Sequence, residues 1–221
     1  MISIKNSPFF CSWSGGKDSC LALYRAIQQG GQPRALLTML IENGERSRSH
    51  GIPIDLLKKQ ALALGIPLVT RATSWDNYES TFISAITELK KEGVEAGVFG
   101  DIDIDAHREW SRQVCSVATI KSYHPLWQES RYTLLHELIE AGFKAIIIVV
   151  KNGILDKQFL GKIIHSDTLR EIEKIGIDVS GERGEYHTVV TDGPIFSIHL
   201  KPIFKEPILR DGCWFLETRI F

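Results

Sequence analysis

Cysteine is scarce. The four cysteines stand at 11, 20, 115 and 213, and no two form C-x-x-C. That spacing gives no basis for a zinc knuckle or a dithiol redox pair, and the thiols read as small buried residues in a reducing compartment. Long hydrophobic runs are missing too. The longest, "AIIIVV" at 145–150, is six residues, against the roughly twenty that a membrane-spanning helix needs. The N-terminus lacks a charged segment followed by a long apolar stretch, so no signal peptide is expected and the expected location is cytoplasmic. Charge of one sign is absent: 26 basic residues against 27 acidic leave a net −1. Composition therefore gives no basic stripe for nucleic acid. There is no internal repeat and no low-complexity tract.

What is present is a chain of 221 residues, 43% apolar and 24% charged. It is long enough for a sizeable core and for one main domain with a smaller appendage. In the first half short apolar runs alternate with helical periodicity. "PFFCSW", "RALLTML", "IPLVTRA" and "EAGVFGDI" read as strands. "KDSCLALYRAIQQG", "IPIDLLKKQALALG" and "ESTFISAITELKKEG" read as helices between them, and a further helix is expected over 105–120. This alternation predicts an α/β fold with a parallel sheet covered on both faces. Ligands of such sheets lie beyond the carboxyl ends of the strands, which selects 13–19, 39–51 and 100–108. After "HPLW" at 124–127 the pattern changes to a helix over 131–141, the strand "KAIIIVV", a helix near 166–175, and strands around 187–200 and 213–220. The expected division is 1–124 for a nucleotide-binding domain and 125–221 for a smaller α+β domain.

"SGGKDS", Ser14 to Ser19, joins the first strand to the first helix. It is not the loop G-x-x-x-x-G-K-[ST]: Cys11 stands where that motif needs glycine, and Asp18 where it needs a hydroxyl residue. Gly15 and Gly16 let backbone N–H groups approach an anion, the helix adds its positive end, and Lys17 adds a charge. Ser14 and Ser19 offer hydroxyls. Asp18 suits a helix start, a partner for Lys17 or a ligand for Mg²⁺. The loop resembles the PP-loop of the ATP pyrophosphatase group. That resemblance implies a pyrophosphate cradle, attack of the substrate on the α-phosphorus, an adenylate, and AMP as the final product.

A second segment narrows the resemblance. "GERGEYHTVVTDGPIF", Gly181 to Phe196, is similar to the G-E-x-G-E-[YF]-x-T…D-x-P-[LIF]-F signature of diphthine–ammonia ligases. "ALGIPLV", "PLW" and "GFKAIIIVV" followed by "LG" also resemble that family, so the likeness runs from about 10 to about 200. It implies a PP-loop domain of the adenine nucleotide alpha hydrolase-like kind with a smaller second domain. It also implies an ATP-dependent ligase that converts a carboxylate and ammonia to an amide, releasing AMP and pyrophosphate. The best-known acceptor is diphthine on elongation factor 2. The chain departs from the family pattern at Val179-Ser180, where many relatives carry Pro-Cys, and at Arg183 and His187. "GDIDIDAHREW" is closer to a bacterial branch, and bacteria lack diphthamide. A small-molecule carboxylate is therefore the alternative acceptor, and a nucleotide-binding sensor without turnover is the rival class.

The expected roles follow. Lys17, Glu182 and Glu185 are the catalytic candidates. Ser14 to Ser19 hold the phosphates, Met39 and His50 the nucleoside side, with Asp101 beside the phosphates; Asp18 and Asp101 are candidates for Mg²⁺. Gly181, Glu182, Gly184, Glu185, Tyr186 and Thr188 form the acceptor segment: the glutamates suit a cationic group, Thr188 a substrate oxygen, and Arg108 a carboxylate or phosphate clamped by two hydrogen bonds. Trp75, Trp110 and Trp127 read as packing residues. The partners implied are ATP, ammonia and the carboxylate acceptor, with a homodimer as the candidate assembly and neither membrane nor nucleic acid expected.

Overall fold

A computed structural model describes residues 3–219. Nine strands and six α-helices are described, in two sheets. The first sheet contains β1 (Pro8–Ser12), β2 (Gln32–Leu40), β3 (Leu68–Ala72), β4 (Ala96–Val98) and β5 (Lys121–Tyr123). Their order is β3-β2-β1-β4-β5, and every pairing is parallel. Between them run α1 (Lys17–Gln28), α2 (Ile54–Leu64), α3 (Tyr78–Lys91) and α4 (Asp105–Val117). The order reverses beside β1, which has β2 on one side and β4 on the other. The loop leaving β1 therefore opens into the crevice that such a reversal creates.

Local sequence explains these elements. β1 is buried along its middle, as a strand covered on both faces must be. Pro53 precedes α2, and Gly65 closes it at φ 65°, in the left-handed region expected for that glycine. α1 buries Cys20, Leu23 and Ala26 against the sheet. Phe10, Phe82 and Phe99 form an edge-on aromatic cluster on the other face. Cys11, Cys20 and Cys115 are buried, and burial pushes each thiol up, Cys115 to about 12. They are core residues.

The second sheet is antiparallel, in the order β7-β6-β9-β8. It comprises β6 (Lys144–Lys151), β7 (Tyr186–Asp192), β8 (Ile203–Arg210) and β9 (Cys213–Arg219). α5 (Arg131–Glu140) precedes it, and α6 (Ser166–Ile175) lies between β6 and β7. β6, the "AIIIVV" run, is buried over Ala145–Val150, and its side chains join the same core cluster as β1 and α1. Arg25 of α1 meets Glu137 of α5 through a three-bond ion pair. Two elements differ from expectation. β5 has only three residues, too few for a period to show. The strand expected to 200 ends at Asp192, and the chain instead spends Ile203–Arg210 on β8 at the sheet edge. Alternation is faint there because that strand is exposed or half-exposed throughout.

Candidate functional site

The first zone is the loop after β1. Gly15 adopts φ +80°, and a Cβ there would lie 2.7 Å from Gln60 Oε1. At Gly16 a Cβ would lie 2.6 Å from His50 Cε1 and 3.0 Å from the Thr188 carbonyl oxygen. Both glycines are thus demanded, one by conformation and one by space. Ser14 and Ser19 share a 3.0 Å hydroxyl contact, and the Gly16 N–H reaches Ser14 Oγ at 3.3 Å. From α2, Gln60 is fully buried; its Nε2 donates to the carbonyls of Gly15 (2.9 Å) and Val190 (2.7 Å), and its Oε1 accepts from Trp13 Nε1 (3.1 Å). From β7, the Val190 N–H donates to Gly15 O at 2.9 Å. The loop is therefore held from both sheets. No sequence signal marked Gln60, because one amide among helical residues looks like any solvated polar position.

Lys17 opens α1 with its side chain 7% exposed. Its Nζ donates to both Asp18 oxygens, at 2.8 and 2.7 Å, and lies 3.5 Å from Glu182. Burial pulls its pKa down, but Asp18, Tyr186 and Glu182 outweigh that, and it stays an ammonium. Asp18 is thus the partner of Lys17.

The second zone faces the carboxyl ends of β1 and β2. Ser12, Ser14, Thr38, Met39, Arg48 and Trp75 are among its walls, around a cavity of about 70 Å³. Met39 is among them. His50 is not among the residues of this pocket. The Arg48 N–H is tied to Met39 O at 2.9 Å, and the turn closed by Gly51 N–H on Ser47 O swings His50 against Gly16 on the other side. Trp75 also departs from expectation: it is 68% exposed and opens on the pocket instead of packing in the core.

The third zone is the cleft between α1 and the turn before β7. Lys17, Asp18, His50, Glu182, His187 and Thr188 are among its walls, with Gly181, Gly184, Tyr186 and His107. The turn is built by Asp178. Its carboxylate accepts from Ser180 and from the Glu182 N–H (2.8 Å), and pairs with Arg131 Nη1 at 2.6 Å. Burial pushes Asp178 up, but Arg131 and these backbone donors hold it below the usual carboxylate range. Glu182, 14% exposed, is pushed up to about 7, first by burial and then by Asp18, against the pull of Lys17. His50 and His187 stack with centroids 4.5 Å apart. Burial lowers both, with Lys17 adding to it, and His187 falls to about 4. The imidazoles are neutral at pH 7.

Three of the expected site residues make contacts within the protein. Glu185 is buried with its carboxylate turned back on the Arg183 N–H (3.0 Å), closing the turn rather than walling the cleft. Thr188 Oγ1 already accepts the Lys17 backbone N–H at 3.1 Å, so it ties β7 to the head of α1. Arg108 lies over Trp127, 4.5 Å from the ring centroid, and is not among the walls of the cleft. Tyr186 is buried, its hydroxyl donating to Val179 O at 2.6 Å. Of the aspartates after β4, Asp103 is engaged by Arg131, and Asp105 starts α4 exposed. Asp101 turns inward, 3.7 Å from His124 Nε2, with its pKa raised by burial and by Asp18.

A glycine-rich loop at the reversal of a parallel sheet, with a buried lysine opening the next helix, defines an α/β protein whose site lies at the carboxyl ends of its strands. The chain belongs to the diphthamide synthase family: the family's N-terminal domain matches residues 9–122 and its C-terminal domain residues 130–215. The chain is similar to the diphthine–ammonia ligase of Mus musculus, 32% identical over 90% of this chain and 84% of that one. It is similar to the enzyme of that name from Homo sapiens at 30%, over 83% and 78%. It also resembles that of Schizosaccharomyces pombe at 26%, over 88% of this chain and 36% of that longer one. A structure described as a predicted subunit of a tRNA methyltransferase from Methanocaldococcus jannaschii aligns with TM-score 0.46 and 16% identity, over 85% of this chain and 98% of that one.

Proposed function

We propose that the chain is an ATP-dependent, AMP-forming amide ligase that joins ammonia to the carboxylate of diphthine on elongation factor 2. The carrying observation is the 3.5 Å approach of Lys17 Nζ to Glu182. It gives the phosphate loop and the acceptor cleft a common wall, as a reaction between an α-phosphate and a carboxylate requires. Membership of the diphthamide synthase family and its relatives, which are diphthine–ammonia ligases, support the reaction class.

The acceptor carboxylate attacks the α-phosphorus of ATP, and the bond to the bridging oxygen breaks. Lys17 and the first-turn amides of α1 stabilise the departing pyrophosphate. Ammonia then attacks the acyl carbon, the bond to AMP breaks, and the surplus proton passes to Glu182, whose pKa near 7 suits a general base. His50 and His187, neutral, line the cleft without repelling a trimethylammonium group. Residues 1–124 carry the nucleotide and 125–221 the acceptor side.

The carboxylates present fit a Mg²⁺ that arrives with the nucleotide, since that ion is commonly held by one or two carboxylates plus substrate phosphates. Asp101 and Asp18 would hold it, Asp18 by giving up one oxygen from Lys17. Bound there, the ion supplies charge neutralisation on the phosphates. Among the described residues no helix is long and apolar enough to cross a membrane.

The test is product analysis with ATP, ammonia and diphthine-bearing elongation factor 2. AMP and pyrophosphate should appear in step with amide. Release of ADP and phosphate overturns the mechanism, and AMP formation only with a small carboxylate reassigns the acceptor.

A further inference from the structure

We propose that a small cavity between α1 and α5 is the subsite for ammonia, and that its size restricts the ligase to that nucleophile. This rests on the amide-ligase reading above. Leu21 of α1, Ile102, and Leu134, Leu135 and Leu138 of α5 wall the cavity, and all five are buried. Its volume is about 10 Å³, room for one molecule the size of water. Lys17, Asp18, Arg131 and Ser180 form its polar side. Lys17 and Asp18 also wall the acceptor cleft. A molecule held here is therefore one ion pair away from the acceptor.

The polar side selects by hydrogen bonding. Lys17 Nζ donates to both Asp18 oxygens, at 2.8 and 2.7 Å. Arg131 Nε and Nη2 donate to Asp103, at 2.8 and 2.7 Å, and its Nη1 pairs with Asp178 at 2.6 Å. The Ser180 hydroxyl donates to Asp178 at 3.1 Å. Each donor group thus already serves a carboxylate. What these side chains still offer is acceptor capacity, on the Asp18 carboxylate and on Ser180 Oγ. Acceptors whose neighbouring donors are taken suit a ligand that is mostly N–H. Ammonia has three such bonds and the size of water. An anion finds the donors engaged, and an alkylated amine meets the leucines. The apolar side favours the neutral form, since an ammonium ion would lose hydration against five aliphatic side chains. That form is also the nucleophile.

The experiment is amide formation by the full chain and its L135F and L135V variants, with ATP, diphthine-bearing elongation factor 2, and either ammonia or methylamine. Acceptor-dependent ATP–pyrophosphate exchange is measured alongside, because it needs no nucleophile. The wild type should prefer ammonia over methylamine in kcat/KM by about 10- to 200-fold, the range for one carbon refused by an apolar pocket. L135F, which fills the cavity, should raise KM for ammonia by about ten-fold or more on the same basis. Its exchange rate and its KM values for ATP and acceptor should stay as in the wild type. L135V, which enlarges the cavity, should keep ammonia activity and narrow the preference over methylamine. Thermal melting shows whether L135F folds; if it does not, L135V decides. Wild-type indifference between the two amines, an unchanged KM for ammonia in folded L135F, or an unchanged preference in L135V overturns the proposal. Absence of both exchange and amide in the wild type overturns the ligase reading itself, and the subsite with it.

Discussion

At the scale of single residues, the balance around Lys17 decides what the cleft can do. A buried ammonium is tolerable only when paired, and Asp18 and Glu182 supply the pairing. Burial raises the pKa of Glu182 first, and the Asp18 carboxylate that holds Lys17 raises it further against the pull of Lys17. Replacing Glu182 should separate the two half-reactions. Glu182→Gln is expected to retain acceptor-dependent ATP–pyrophosphate exchange and to lose ammonia-dependent amide formation by about 10²- to 10⁴-fold, the usual worth of a general base. Loss of the exchange reaction together with amide formation would mean a structural role. The same residue sets a pH dependence of stability. Its folded pKa, about 7, lies above its ordinary 4.5, so the folded state holds the proton more tightly. Its contribution is present below pH 4.5 and lost as pH rises to 7. Thermal melting across that window should show a smaller fall for Glu182→Gln than for the wild type.

At the scale of elements, the loop after β1 is a junction of β1, α1, α2 and β7. "SGGKDS" was legible as a tight glycine turn because strand, glycines and helix adjoin in sequence. Its clamping by Gln60, Thr188 and Val190 was not, because those residues lie 45 to 175 positions away. Gly16→Ala tests the junction. Its Cβ would press on the Thr188 backbone oxygen at 3.0 Å as well as on His50, so β7 must withdraw from α1. We expect a destabilisation of about 1–3 kcal/mol, typical of overpacking, and loss of ATP turnover; wild-type melting and activity would refute the tight fit. The short β5 and exposed β8 escaped sequence reading for a related reason: periodicity reports burial on one face, and these strands are too short or too exposed to display it.

Across the whole molecule, Arg131 joins regions that the sequence keeps apart. It pairs with Asp103, beyond β4, and with Asp178, in the turn that carries Glu182. Arg131→Met should therefore loosen the acceptor turn from the nucleotide side. The expected signature is a several-fold rise in KM for the acceptor with ATP affinity preserved; an equal loss of both would place Arg131 in general stability instead. Acid should act on the molecule as a whole in the opposite sense to Glu182. His187 and His124 are each lowered to about 4 by burial, so their contributions are full above pH 6.5 and are lost as pH falls toward 4. His187→Asn should flatten that part of the stability profile in denaturant titrations.

The sequence by itself determined the parallel α/β architecture, the glycine turn after β1 and the family signature. Each rests on residues that are neighbours along the chain or on a helix or strand period, and short-range sterics and burial patterns are written at that range. Only the tertiary structure decided that Glu185 closes a turn while Glu182 faces Lys17, that His50 stacks on His187, and that Arg48 lies over Trp75. Those outcomes depend on which face of one element meets another. Packing settles that by excluding atoms from the same space and by pairing buried charges, and no stretch of the chain records it alone.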